Sequence, residues 1–169
     1  MIRLLCALLL ATTLFAHPHI FVETRVDIQP EKTWILWTFD EMTSSMLMTD
    51  YDKNKDKKLD ADEIAFMRKD HFETLGPYSY FVRLFDGNDE IDTKTILDFT
   101  ASYTNNKVMY LMSIPTSTLK NYELHFYDGE MYVAMIVKPN YLTCAKEFKC
   151  KVEGYDADFY YGYKVMVSH

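Results

Sequence analysis

Apolar and polar residues alternate over residues 19–28. Ile20, Val22, Thr24, Val26 and Ile28 share one face, and His19, Phe21, Glu23, Arg25 and Asp27 share the other. A period of two predicts a half-buried strand. A turn containing Pro30 separates it from a second, largely apolar strand at 33–40. Further strands are expected at 78–85, 95–103, 108–114, 122–127, 131–137, 149–155 and 159–167. Asp86-Gly87, Asn105-Asn106 and Asp128-Gly129 stand between such runs, and dipeptides of this kind favour tight hairpins. Between the second strand and residue 78 the period changes. Met42, Met46 and Thr49 recur at helical spacing, as do Ile64, Met67, His71 and Leu75, and Gly76-Pro77 marks a helix stop. The expected fold is α+β and mainly β, an antiparallel β-sandwich-like body with a helix–loop–helix insert at about 41–76.

The first residues set the expected compartment. A positive start at Met1 to Arg3 leads into an apolar run at 4–14 and then Ala16. This has the form of a secretory signal peptide over 1–16, too short for a permanent membrane span. The mature chain is then 17–169, one β-rich domain without a stable membrane anchor, and the expected location is periplasmic. Of three cysteines, Cys6 leaves with the signal. Cys144 and Cys150 remain, and in an oxidising compartment they are expected to form a disulfide.

At 169 residues with 49% hydrophobic and 25% charged side chains, the chain has the composition of a folded protein. Aromatic residues reach 15%, which favours strands. A formal charge of −7 argues against nucleic acid as a partner and suits cations.

The strongest chemical signal is D-K-N-K-D-K-K-L-D-A-D-E at 52–63, which fits a twelve-position EF-hand calcium loop. Asp52, Asn54 and Asp56 take positions 1, 3 and 5. Lys58 offers its carbonyl at 7, Asp60 sits at 9, and Glu63 at 12 can bind with both oxygens. Position 6 is Lys57 in place of glycine, which costs about 1–2 kcal/mol in a left-handed conformation. A single loop is read as a structural brace for the insert, not as a sensor.

Cleavage after Ala16 exposes His17-Pro18-His19. The α-amine and two imidazoles form a donor set suited to zinc, copper, nickel or cobalt. Pro18 has no amide hydrogen and excludes the chelate that uses deprotonated amides. If the first two strands turn at Pro30-Glu31, Phe21 lies opposite Asp40, and Asp40 or Glu41 becomes the candidate carboxylate ligand near His19. His71 and His125 are read as packed histidines, and Met42, Met46 and Met48 as core filler more than a soft copper site. G-x-S-x-G, H-E-x-x-H and Gly-rich phosphate motifs are absent, so no enzymatic activity is expected.

H-P-H-I-F-V at 17–22, W-T-F-D-E at 37–41, the acidic loop at 52–63 and Y-D-G-E-M-Y-V-A-M at 127–135 together resemble one bacterial family. It comprises uncharacterised exported proteins described as periplasmic components of ABC-type transport systems, carried as a domain of unknown function. The resemblance implies a periplasmic protein linked to nickel, cobalt or zinc transport. The reading that joins these signals is a metal-binding accessory protein. His17 and His19 hold a transition metal, calcium braces the insert, and an inner-membrane transporter is the partner. The alternatives are a calcium-stabilised protein-interaction module with no transition-metal role, and a copper oxidase built on the amino-terminal histidine.

Overall fold

The computed structural model describes residues 20–93, 96, 98–157 and 160–169. Eleven strands among these residues form two sheets around a common core.

In the first sheet, β1 (Ile20–Ile28) pairs antiparallel with β2 (Lys32–Phe39), with Ile28 opposite Thr33 and Val22 opposite Phe39. Gln29 to Lys32 closes the connection, so Pro30 and Glu31 form its tip. On the far side of β2 lie β6 (Lys107–Pro115) and then β5 (Asp98–Thr104). The β5–β6 turn places Asn105 and Asn106 at φ 53° and 60°, as a tight hairpin of this handedness requires. The other side of β1 is covered end to end by β8 (Val133–Ile136) and β9 (Leu142–Cys144). Both run parallel to β1, so the expectation of a wholly antiparallel body is corrected here.

The second sheet has the order β10 (Lys149–Ala157), β11 (Tyr160–Ser168), β7 (Tyr122–Phe126), β3 (Val82–Asp86), β4 (Asp89–Ile91). Gly87 turns the β3–β4 hairpin at φ 63°. Asp128-Gly129 makes no hairpin, contrary to expectation. β7 belongs to the second sheet and β8 to the first, so this segment carries the chain between sheets.

Alternation decides the core. Ile35, Trp37 and Phe39 of β2 face inward with Val108, Tyr110 and Met112 of β6, against Leu124 and Phe126 of β7 and Val165 of β11. Trp37 stacks on Phe81 with ring centroids 5.9 Å apart, and Phe39 meets Tyr110 edge-on at 4.9 Å. The Cys144–Cys150 disulfide joins β9 to β10 and therefore crosslinks the two sheets.

The helical segment follows β2. Helix α1 spans Glu41–Tyr51 and α2 spans Ala61–Met67, continuing through a π-turn at Arg68–Phe72 into a 3₁₀ stretch at Glu73–Phe81. Residues 78–81, expected in a strand, are excluded from it by their backbone. Ser79, Tyr80 and Phe81 all have φ near 52°, which no strand accommodates, and burial of Tyr80 and Phe81 holds them there. The face of α1 is also corrected. Its buried residues are Thr43, Ser44, Leu47 and Tyr51, while Met42 and Met46 are each 63% exposed. Ser44 explains the rotation, since its Oγ accepts the Val108 backbone N–H at 2.9 Å and brings the helix close to β6.

Candidate functional site

The connection between α1 and α2 is built by its own side chains. Asp52 ends α1, its N–H donating to the Met48 carbonyl at 3.1 Å. Its carboxylate turns into the loop, Oδ1 accepting Asp56 N–H at 3.2 Å and Oδ2 accepting Lys57 N–H at 3.0 Å. Asn54 Oδ1 also accepts Asp56 N–H at 2.8 Å, and Asp56 Oδ1 accepts Lys58 N–H at 2.8 Å. From the far end Glu63 reaches back. Oε1 accepts Lys53 N–H at 2.7 Å and Asn54 N–H at 3.4 Å, and Oε2 accepts Asp60 N–H at 3.0 Å. Asp52 and Glu63 are only 8% and 5% exposed, whereas Asn54, Asp56, Lys58 and Asp60 lie at the surface.

Two backbone features complete the loop. Lys57 stands at φ 63° and Lys55 at φ 61°, so position 6 adopts the left-handed conformation although it carries a side chain. Asp60 and Glu63 form a reciprocal capping box on α2, with Asp60 Oδ1 accepting Asp62 and Glu63 N–H at 3.0 Å each. Sequence reasoning missed this second role, although D-x-x-E before an apolar run is its signature. Leu59 packs against the core from the same loop. Tyr51 ties α1 to the exit helix by donating to Asp70 Oδ2 at 2.8 Å. Burial and the Asp70 carboxylate push the Tyr51 phenol up to about 12.

Among the described residues, no three His, Cys, Asp or Glu side chains converge in a group that could hold a metal ion. The loop carboxylates are directed at backbone N–H groups instead.

His17 and His19 lie outside the described residues. Their proposed carboxylate partners do not. Phe21 sits opposite Asp40, and the two exchange hydrogen bonds: Asp40 N–H to the Phe21 carbonyl at 3.1 Å, and Phe21 N–H to Asp40 Oδ2 at 3.0 Å. Asp40 is also the N-cap of α1, its oxygens accepting Thr43 N–H and hydroxyl at 2.8 Å each. Desolvation would raise its pKa, but the N–H groups of Phe21 and Thr43 and the Thr43 hydroxyl outweigh it and hold it low. Both Asp40 oxygens are therefore already engaged, whereas Glu41 is exposed in the first turn of α1.

His71 and His125 are packed, whereas His169 is exposed. His71 Nδ1 lies 2.9 Å from the Tyr110 hydroxyl, and burial lowers its pKa against the pull of Asp70 and Asp50. His125 Nε2 pairs with Glu123 at 2.7 Å on β7, while its buried Nδ1 has no hydrogen-bond partner among the described residues.

The profile of a family described as "Protein of unknown function (DUF1007)" matches residues 2–160. No curated protein and no solved structure matches the chain.

Proposed function

The chain belongs to this family of unknown function, and we propose that it is an exported, calcium-braced accessory protein of transition-metal transport. Calcium would sit in the 52–63 loop. The single observation that supports this is the inward wrap of the loop, with Asp52 and Glu63 buried at its two ends and Lys57 left-handed between them.

The donor set fits calcium's chemistry. It consists of hard oxygens from Asp52, Asn54, Asp56, Asp60 and Glu63 together with the Lys58 carbonyl. A carboxylate has about four lone-pair sites. The backbone hydrogen bonds engage two of these at Asp52 and three at Glu63, so each carboxylate keeps acceptor capacity, and binding would require the loop oxygens to turn towards the ion.

The transition-metal role rests on the residues at the expected mature amino terminus. His17 and His19 precede β1, whose beginning is anchored to the start of α1 by the Phe21–Asp40 pair. Asp40 and Glu41 are the carboxylates proposed to assist the two imidazoles, Asp40 beside Phe21 and Glu41 exposed in the first turn of α1. An inner-membrane transporter of nickel, cobalt, zinc or copper is the proposed partner.

Equilibrium titration of the processed protein tests both parts. Calcium should raise the melting temperature of the wild type and leave Glu63→Ala unchanged. One transition-metal equivalent should bind tightly to the wild type and be lost in His17→Ala/His19→Ala. Unchanged stoichiometry in that variant sinks the transport role, and indifference of the wild type to calcium and chelator sinks the brace.

A further inference from the structure

A cavity of about 640 Å³ opens where the edge of the first sheet meets the far end of β11. All four residues of β8, Val133 to Ile136, line it. Consecutive strand residues point to opposite faces, so a cavity touched by all four runs along the edge of the strand. Among the described residues β8 is the last strand on its side of β1, so no strand pairs with its outer edge there. The Val133 N–H on it is already taken by Asp128 Oδ2 at 2.8 Å.

Tyr160, Tyr161 and Tyr163 of β11 also line the cavity, together with Phe21 and Tyr132. Tyr161 and Tyr132 are 67% and 56% exposed, and Tyr161 meets Tyr163 edge-on at 5.6 Å. The Asp128–Val133 loop is organised to present Tyr132. The Asp128 carboxylate gathers the N–H groups of Glu130, Met131 and Val133. Tyr132 is held within that wrap at φ 60°, a conformation that costs free energy for a bulky residue. Gly129 lets the Tyr160 ring lie over the loop, since a Cβ there would come within 3.1 Å of it.

The charge of the lining is one-sided. Among the described residues of the lining, Asp128 and Glu130 contribute carboxylates and there is neither lysine nor arginine, the Arg83 guanidinium lying in the adjoining hollow. On the other side of Tyr160, the Arg83 guanidinium already lies 5.3 Å from the centre of the Tyr127 ring, and Tyr127 stacks on Tyr160 at 6.5 Å. The same aromatic system therefore holds a cation against a ring face on its neighbouring side.

We propose that this groove is a binding site for a small organic cation, an alkyl- or aryl-ammonium whose charged head lies among the tyrosine rings beside Glu130 and whose apolar body lies along β8. Ring faces attract such a head through their negative quadrupole, more strongly when water is excluded. The cavity has the size of a small-molecule site, with an apolar wall and a few polar groups that orient the ligand. The negative charge of the whole chain draws the same class of ligand. The site shares no lining residue with the 52–63 loop.

The test is titration of the disulfide-bonded protein with phenyltrimethylammonium, followed by calorimetry and by the tyrosine ring resonances. Choline is compared with its neutral isostere 3,3-dimethyl-1-butanol. Saturable one-to-one binding is expected, with choline at least tenfold tighter than the neutral compound. Glu130→Gln and Tyr161→Leu, both at exposed positions, should each weaken binding several-fold while circular dichroism stays unchanged. Equal binding of choline and its isostere, no saturation, or undiminished binding in both variants would overturn the proposal.

Discussion

Phe21 and Asp40 each donate a backbone N–H to the other residue, Asp40 to the Phe21 carbonyl and Phe21 to the Asp40 carboxylate. One side chain thereby ends the β1–β2 ladder and starts α1, joining the sheet to the helical segment. Asp40→Ala removes the cap and leaves the Phe21 and Thr43 N–H groups without it. The expected cost is about 1–2 kcal/mol, near the upper range for a helix cap, read from urea unfolding.

The same carboxylate gives a pH dependence. Its folded pKa is lowered, so the unfolded chain binds the proton more readily. The contribution is present above the unfolded value of about 3.9 and is lost as the pH falls through the lower folded value. Asp40→Asn should flatten this acid limb in urea midpoints measured between pH 5 and pH 2.5. An unaltered limb would show that the Asp40 carboxylate does not carry it.

Lys57 supplies a test of the loop that does not depend on removing a ligand. Its φ of 63° is unfavourable for a residue with a Cβ, so Lys57→Gly should recover roughly 1 kcal/mol. The variant should melt higher and, if calcium binds as proposed, bind it more tightly. Calcium at a hundredfold above its dissociation constant should add about 2.7 kcal/mol. That corresponds to roughly 5–10 °C for a chain of this size, reversed by chelator.

His71 and Tyr110 should make the fold sensitive to mild acid. Burial lowers the His71 pKa, and the ring shares a 2.9 Å hydrogen bond between Nδ1 and the Tyr110 hydroxyl. Because the folded value lies below the unfolded one of about 6.5, this stability is complete above pH 6.5 and declines as the pH drops towards the folded value. His71→Gln should lower the urea midpoint at pH 7.5 and narrow its difference from pH 5.5. An undiminished difference would assign the acid sensitivity to other groups.

The Cys144–Cys150 bridge closes a short loop but links strands of different sheets. Loop-closure entropy for a separation of six gives about 2 kcal/mol. Replacing both cysteines by serine should lower unfolding free energy by that amount. Opening of the β9–β10 side should appear as faster amide exchange in both strands, with α1 and α2 unaffected.

What the order of residues determined by itself is local. Period-two alternation marked β1 because a pleated strand sends successive side chains to opposite faces. Asn105-Asn106 specified a hairpin because those residues tolerate positive φ, and Pro30-Glu31 placed Phe21 opposite Asp40 by counting back from the turn. The acidic spacing at 52–63 marked a candidate calcium loop between two helices, while the dual use of Asp60 and Glu63 as a capping box went unread. Tertiary structure decided the rest. Periodicity shows which side of a strand is apolar, but it does not name the neighbouring strand. The parallel placement of β8 beside β1, and the crossing at Asp128-Gly129, depended on how the two sheets close over one core. Met42 and Met46 face solvent because Ser44 satisfies the Val108 N–H and rotates α1. Residues 78–81 left the expected strand because burial of Tyr80 and Phe81 outweighed their backbone preference. The tyrosine-lined groove exists only where three separate stretches of chain meet, a proximity that long-range packing creates and local pattern cannot encode.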